Sequence, residues 1–321
     1  MRSLDEFPRL TLGALPTPIQ KLENISRILG TNVYIKRDDM TGLALGGNKV
    51  RKLEYLLADA KAKGAEVVFT TGGAQSNHAM LTAACCRKLG MTPILILKNR
   101  GVTDREGNLL LEYLMDTDVR FMDTDSYDDI YAEMDRVGQA LGKPYYKIPC
   151  GGSNALGSLG YVACAREIAE QSHSLDLHFD HLITAEGSGG THAGMALGAR
   201  IFLPETKVTG VMVDDSPFDQ ITPAIMREAA QLLTYDLPIL NEEVYHVNMC
   251  GPGYAIPSKE GNEAIRLMAK NEGLILDPVY TGKAFAGLIQ MASQGAFRKD
   301  DNVLFLHSGG AGGLFAIDVE L

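Results

Sequence analysis

No apolar run in this sequence approaches the ~18 residues that a membrane helix requires. The opening residues, MRSLDEFPRL, carry acids early and no apolar stretch, so neither a membrane span nor a secretory signal is expected. Cysteine is scarce. Cys85, Cys86, Cys150, Cys164 and Cys250 form an odd set without a CxxC pair. That argues against a disulfide framework and a zinc site, and it points to buried, reduced thiols in a cytoplasmic protein. Positive charge is the minority: 30 Lys and Arg stand against 40 Asp and Glu, a net charge of -10. Neither nucleic acid nor a membrane surface is the expected partner, although a small anion in a local pocket is compatible with this charge.

What is present suits a globular protein of one large or two ordinary domains: 321 residues, 45% hydrophobic and 22% charged. Short apolar runs alternate with helical patterns. GAEVVFTTGG, TPILILK, YKIPCGG, HLITAEGSGG, KVTGVMVDD and NVLFLHSGG read as strands. In DDIYAEMDRVGQALGK, Ile130, Met134, Val137 and Leu141 recur at helical spacing and predict one apolar face. AIRLMAKNEG predicts a helix stopped by Gly273, and another helix is expected after Asn77. Strand–helix alternation with buried strands implies an α/β fold with parallel sheet.

Four predicted strands end in glycine-rich turns: TTGGAQSN, IPCGGSN, AEGSGGT and LHSGGAGG. Glycines at one such junction need mean only a tight turn. Four, each opening onto polar residues, predict a shared pocket, because ligands in open α/β sheets bind beyond the carboxyl ends of strands. The familiar loop signatures are missing. Gly187 and Gly189 are followed by His192 where a dinucleotide fingerprint needs glycine, and no P-loop, GxSxG or HExxH occurs. The seven histidines show no metal spacing, and no metal is expected.

Gly187, Ser188, Gly189, Gly190 and Thr191 make a loop of a size to hold one phosphate on backbone N–H groups and two hydroxyls. The other unusual stretch is GGNKVRKLEY, residues 46–55, where Lys49 follows two glycines at a predicted helix start. A lysine there sits poorly with the helix dipole. It could be a surface lysine in a turn. Paired with a phosphate cradle, it is also the minimum equipment for pyridoxal phosphate, provided that burial near Lys52 lowers its amine pKa.

A run of motifs in one order carries a wider likeness: FPRL, PTPIQKL, IKRDD, GGNKVRKLEY, QSNHA, GGSNALGSLGY, GSGGTHAG, GYAIP, LDPVYTGKAFAGL and LHSGG. Nearly end to end, the chain resembles the fold-type II, tryptophan-synthase-β-like, pyridoxal phosphate enzymes. Within them it is similar to the 1-aminocyclopropane-1-carboxylate deaminase and D-cysteine desulfhydrase family. The resemblance implies two open parallel-sheet α/β domains with the cofactor between them: residues 1–50 with 153–321 as the larger, and 51–152 as the smaller. It implies Lys49 as the Schiff-base lysine that also moves the Cα proton, with Asn48 beside it. Lys52 and the loop Gly187–Thr191 would hold the phosphate. Asn77 would face the 3-hydroxyl, with Ser308 on the ring nitrogen side. Gln75, Ser76, Asn77 and His78 would cradle the substrate carboxylate, and Tyr254, Tyr280 and Thr281 would line the substrate side. A homodimer is expected on the same ground.

The family divides on what meets the pyridine nitrogen. The cyclopropane deaminases carry a glutamate after the DPVY tyrosine and an apolar residue before the last glycine pair. This chain has Thr281 and Ser308 there. A hydroxyl suits loss of a Cα proton and expulsion of a good β leaving group. The expected reaction is therefore β-elimination on a small amino acid, D-cysteine first, giving pyruvate, sulfide and ammonia. Ring opening of the cyclopropane substrate, and β-elimination from L-cysteine, cysteate, diaminopropionate or β-chloroalanine, are the alternatives. Met80 and Leu81 follow Ala79 where desulfhydrase-like relatives often run Arg-Gln. Asp214 and Asp215 are expected in a solvated loop. Inside the pocket they would repel an anionic substrate side chain.

Overall fold

The computed structural model describes residues 1–236 and 238–319. In chain order the strands are β1 (Ile19–Lys21), β2 (Asn32–Lys36), β3 (Val67–Thr70), β4 (Thr92–Lys98), β5 (Asp118–Met122), β6 (Tyr145–Lys147), β7 (His181–Glu186), β8 (Lys207–Met212), β9 (Tyr245–Asn248) and β10 (Asn302–Leu306). The helices are α1 (Glu23–Leu29), α2 (Lys49–Ala62), α3 (Asn77–Leu89), α4 (Gly107–Leu114), α5 (Tyr127–Leu141), α6 (Ala155–Leu175), α7 (Gly190–Phe202), α8 (Phe218–Leu232), α9 (Lys259–Glu272), α10 (Thr281–Ser293) and α11 (Ala311–Leu314).

The strands form two open sheets, ordered β1-β2-β10-β7-β8-β9 and β5-β4-β3-β6. All pairings are parallel except β1 with β2. That three-residue antiparallel strand covers the edge of β2, which blunts an otherwise open row of backbone donors and acceptors. β3 is buried at all four positions. Sheets covered by helices on both faces have such continuous apolar strands. The helices stop and start on local signals. Ser76, Ser126, Asn154 and Ser258 cap α3, α5, α6 and α9 through their side chains. Gly273 ends α9 in the left-handed conformation, as its sequence predicts. Ile130, Met134 and Val137 of α5 are buried, but Leu141, in the last turn before Gly142, remains 43% exposed. The helix ends there, so its final apolar residue has left the sheet it packs on.

α2 packs on α6 and on α3, so it is shared by the two sheet units, and a cut after residue 50 falls in its first turn. Arg51 fixes that turn. Fully buried, it meets Asp38 at 2.8 Å through both Nε and Nη2, and Glu167 at 2.8 and 2.9 Å through Nη1 and Nη2. Lys36 adds a 2.5 Å bond to Glu167, and the Tyr161 hydroxyl donates to Asp38 at 2.6 Å. The quartet holds two positive and two negative charges. Burial opposes the charge on Asp38, but Arg51 overrides it and holds the carboxyl below its ordinary value.

Glu112 on α4 is the opposite case. It is fully buried and neither carboxylate oxygen has a partner among the described residues. Burial pushes its carboxyl up to about 9. The folded state therefore keeps a proton that the unfolded chain releases near 4.5. Between those two values stability falls as pH rises, by at most ~1.4 kcal/mol per pH unit for one group. Glu112→Gln should remove that slope. In urea unfolding the variant should gain on the parent between pH 5 and pH 8 by at least ~1 kcal/mol, and equal slopes for the two proteins would refute the assignment.

Candidate active site

All four glycine-rich strand ends open into one cavity of about 830 Å³. Its wall includes Gly72 to His78 after β3, Cys150 and Gly151 after β6, Gly187 to Gly189, Thr191 and His192 after β7, and Ser308 after β10. Asn48, Lys49, Tyr254 and Tyr280 complete it. The shared pocket expected from the glycine turns is therefore present, and both sheet units contribute to it.

The glycine pair before Lys49 has a steric reason. A Cβ on Gly46 would collide with the carbonyl of Asp39, and one on Gly47 would lie 3.1 Å from the carbonyl of Ser308. Asn48, at the N-cap, makes no capping bond to α2. Its side chain donates instead to Thr191 Oγ1 at 3.1 Å, and its backbone N–H to Ser308 O at 2.9 Å. The first turn of α2 contains no acid. Lys49 and Lys52 make no ion pair among the described residues. Burial pushes the Lys49 amine down to about 8, with Cys150 working against the shift. Lys52, expected to lower Lys49, responds in its place: burial and then Lys49 hold it well below its ordinary value.

Lys52 Nζ donates at 3.1 Å to both Gly151 O and Ser153 Oγ. Ser153 Oγ lies 2.9 Å from Ser188 Oγ and accepts from Gly190 N–H at 3.2 Å. A Cβ on Gly190 would approach Ser153 Oγ at 2.6 Å and Lys52 Nζ at 2.9 Å. Two buried amines, a helix N-terminus and a glycine loop thus converge where no carboxylate among the described residues pairs with either amine. This arrangement fits the phosphate of pyridoxal phosphate, and Lys49 fits its aldehyde. Ser153 was missed in the sequence because serine in GGSN reads as a turn residue.

Other predicted residues divide into those turned to the cavity and those already engaged. Ser76 caps α3, and the N–H groups of Asn77 and His78 have no protein partner among the described residues. Gln75 lines the wall, but its amide is committed: Oε1 accepts from Asn108 N–H at 2.9 Å, and Nε2 donates to Val102 O and Glu106 O. The His78 ring is bonded to Thr70 Oγ1 at 2.8 Å. Burial, then Lys49 and Lys52, hold this imidazole well below its ordinary value. Thr281 is fully buried and does not line the cavity. Its hydroxyl donates to Asp277 Oδ1 at 2.6 Å and accepts from Asp277 N–H at 2.8 Å, so it serves the start of α10. Ser308 keeps its hydroxyl free of protein partners among the described residues and on the wall. The Tyr254 and Tyr280 hydroxyls are 2.5 Å apart, and burial first raises both above the ordinary phenol value.

Four features add to expectation or differ from it. Cys150 is on the cavity wall, 3.2 Å from the Tyr127 hydroxyl, whereas Cys85, Cys86, Cys164 and Cys250 are buried as expected. Asp214 and Asp215 also line the cavity, as do Lys98 and Arg100. Met80 and Leu81 pack into the core. Finally, Glu186, His192 and His246 meet behind the phosphate loop. Each histidine Nδ1 bonds one Glu186 oxygen, at 2.8 and 2.7 Å, and Thr222 donates to the same carboxylate. Burial would raise the Glu186 carboxyl, but the two imidazoles hold it at about 2. His246 is 60 residues from Glu186, on a strand that does not pair directly with β7, so no local spacing could have revealed this trio.

Comparison with known proteins agrees with the geometry. The chain is 44% identical to a D-cysteine desulfhydrase of Serratia proteamaculans (strain 568), over 98% of this chain and 97% of that one. A crystal structure of an ACC deaminase homologue superposes with a TM-score of 0.90 at 41% identity, covering 97% of this chain and 94% of the other. Threonine deaminase isoform 2 from Solanum lycopersicum shares the fold, with a TM-score of 0.66 at 18% identity, over 93% and 80% of the two chains. A family model for pyridoxal-phosphate dependent enzymes matches residues 10–309, so the lysine, the phosphate loop and the fold that joins them belong to a member of that family.

Proposed function

We propose that this protein is a lyase that eliminates the β substituent of a small amino acid, with D-cysteine as substrate and pyruvate, sulfide and ammonia as products. The observation that carries this reading is a lysine amine without a counter-ion among the described residues, sharing a cavity with the α3 N-terminus, whose first two N–H groups are free, and a tyrosine pair. The chain's identity to a D-cysteine desulfhydrase along nearly its whole length supports the choice of substrate.

Bound pyridoxal phosphate supplies the electron sink for charge developing at Cα. Lys52 and the loop Gly187–Thr191 hold its phosphate. The N-terminus of α3, with the Ser76 hydroxyl and the free N–H groups of Asn77 and His78, holds the substrate carboxylate. Lys49, its amine pushed down to about 8, takes the Cα proton. The electron pair of the broken C–H bond becomes the Cα–Cβ double bond, and the Cβ–S bond breaks. One hydroxyl of the Tyr254–Tyr280 pair satisfies the other and leaves a proton for the departing sulfur. Their raised pKa keeps both protonated at neutral pH. Water hydrolyses the released enamine to pyruvate and ammonium. Asp214 and Asp215 favour an uncharged thiol over a sulfonate in the same cavity.

A panel of D- and L-amino acids with β leaving groups should give pyruvate and sulfide from D-cysteine. Lys49→Ala should abolish turnover, and Tyr280→Phe should lower kcat by about 10²-fold. Formation of 2-oxobutanoate from the cyclopropane amino acid without pyruvate from D-cysteine would overturn the reading. Cofactor capture by apo-protein needs the neutral Lys49 amine, so its rate should rise with pH and level off above about 8. A rate independent of pH from 6 to 9 would count against that amine. The proposed assembly is a cytoplasmic homodimer, and a single-chain mass by light scattering would refute the dimer.

A further inference from the structure

Asn108 opens α4, lies fully buried, and has no role in the family resemblance. It is nonetheless bonded to two residues of the substrate segment. Its Nδ2 donates to the backbone carbonyl of Gln75 at 2.9 Å and to Asn77 Oδ1 at 2.7 Å. Its own N–H donates to Gln75 Oε1 at 2.9 Å.

These contacts determine which way the amides face. A backbone carbonyl only accepts, so the Asn108 atom that meets Gln75 O is the nitrogen. The second proton of that nitrogen points to Asn77, so the Asn77 atom receiving it is the oxygen. The Asn77 Nδ2 group, with two donors, has no protein partner among the described residues, and Asn77 lines the cavity. Gln75 offers nothing comparable, because its amide is consumed by Asn108 N–H, Val102 O and Glu106 O.

Packing across the two sheet units holds Asn108 in this orientation. A Cβ on Gly312 of α11 would overlap the Asn108 side-chain oxygen, and one on Gly107 would lie 2.6 Å from both Gln75 Oε1 and Gly312 O. Asn108 Oδ1 is itself buried without a partner among the described residues. Rotating the amide would satisfy neither Gln75 O nor Asn77 Oδ1, so the fold leaves one oxygen unpaired and keeps the nitrogen where both bonds form.

We propose that Asn108 is a positioning residue that locks the Asn77 amide as a hydrogen-bond donor towards the cavity, where it meets the ionised ring oxygen of the bound cofactor. The inference rests on Asn77 facing that oxygen, as in the reading above. A donor favours the ionised form of the oxygen, and a reversed amide would set a carbonyl against it.

The test compares holoenzymes of the parent, Asn77→Ala, Asn108→Asp, Asn108→Ala and the double variant Asn77→Ala/Asn108→Asp. Asn108→Asp preserves volume while replacing both N–H donors, which guards against loss of fold. The readouts are the ratio of the long- to the short-wavelength absorption band of the bound cofactor across pH, and its Kd on titration of apo-protein. Both Asn108 variants should shift the ratio towards the neutral ring oxygen, in the direction of Asn77→Ala, and weaken cofactor binding about tenfold. A purely structural role would lower the unfolding temperature and leave the band ratio unchanged. In the double variant the Asn108 effect on the ratio should disappear. A shift in Asn77→Ala alone overturns the role of Asn108. No shift in Asn77→Ala overturns the placement of Asn77, and the proposal with it. An Asn108 effect that persists without Asn77 also overturns it.

Discussion

The arrangement of the cavity depends on a buried ionic quartet whose arginine stands two residues after Lys49. Arg51, two positions after Lys49 and one before Lys52, is clamped by Asp38 and Glu167, with Lys36 closing the charge balance. Removing any member would leave an uncompensated buried charge, which is far more disruptive than losing a surface pair. The quartet links the end of β2, the start of α2 and the middle of α6. It therefore holds the helix that presents both lysines, independently of what the lysines themselves bind.

With Arg51 neutralised, the remaining electrostatics of α2 are left unbalanced. Its N-terminus has no side-chain cap, its first turn has no acid, and two amines project from it without oppositely charged partners among the described residues. Such a site is poorly stable empty and well suited to a dianion. The same economy of polar groups recurs nearby. Gln75, His78 and Thr281, all polar and all close to the reacting region, are turned to protein partners and brace loops. The groups left free, Lys49, the α3 N–H donors, Ser308 and the tyrosine hydroxyls, are the ones available to chemistry.

Much of this was legible in the sequence. Glycine at four strand ends, serine and asparagine at helix starts, and apolar runs of strand length are local signals, and local physics produces them. Lys49 stood out because its surroundings contradicted its charge. What could not be read was long-range or directional. Ser153 joins Lys52 and Ser188 through contacts 101 and 35 residues away. Glu186, His192 and His246 meet only because β7, β8 and β9 pair in parallel. Thr281 looked like a site residue from its place after DPVY, yet Asp277, four residues earlier, captures its hydroxyl. Cys150 departs from the general rule that cysteines are buried, because its strand end is also a pocket wall.

The bonds among Lys52, Ser153 and Ser188 draw together three segments separated by 101 and 35 residues of chain. An anion bound there would act as a removable tertiary cross-link. Its binding energy would add to the folding energy by mass action, through RT ln(1 + [L]/Kd). The resistance of this protein to unfolding is then a property of its cofactor supply as well as of its sequence, and the two sheet units share a tie that the cell can tighten or withdraw.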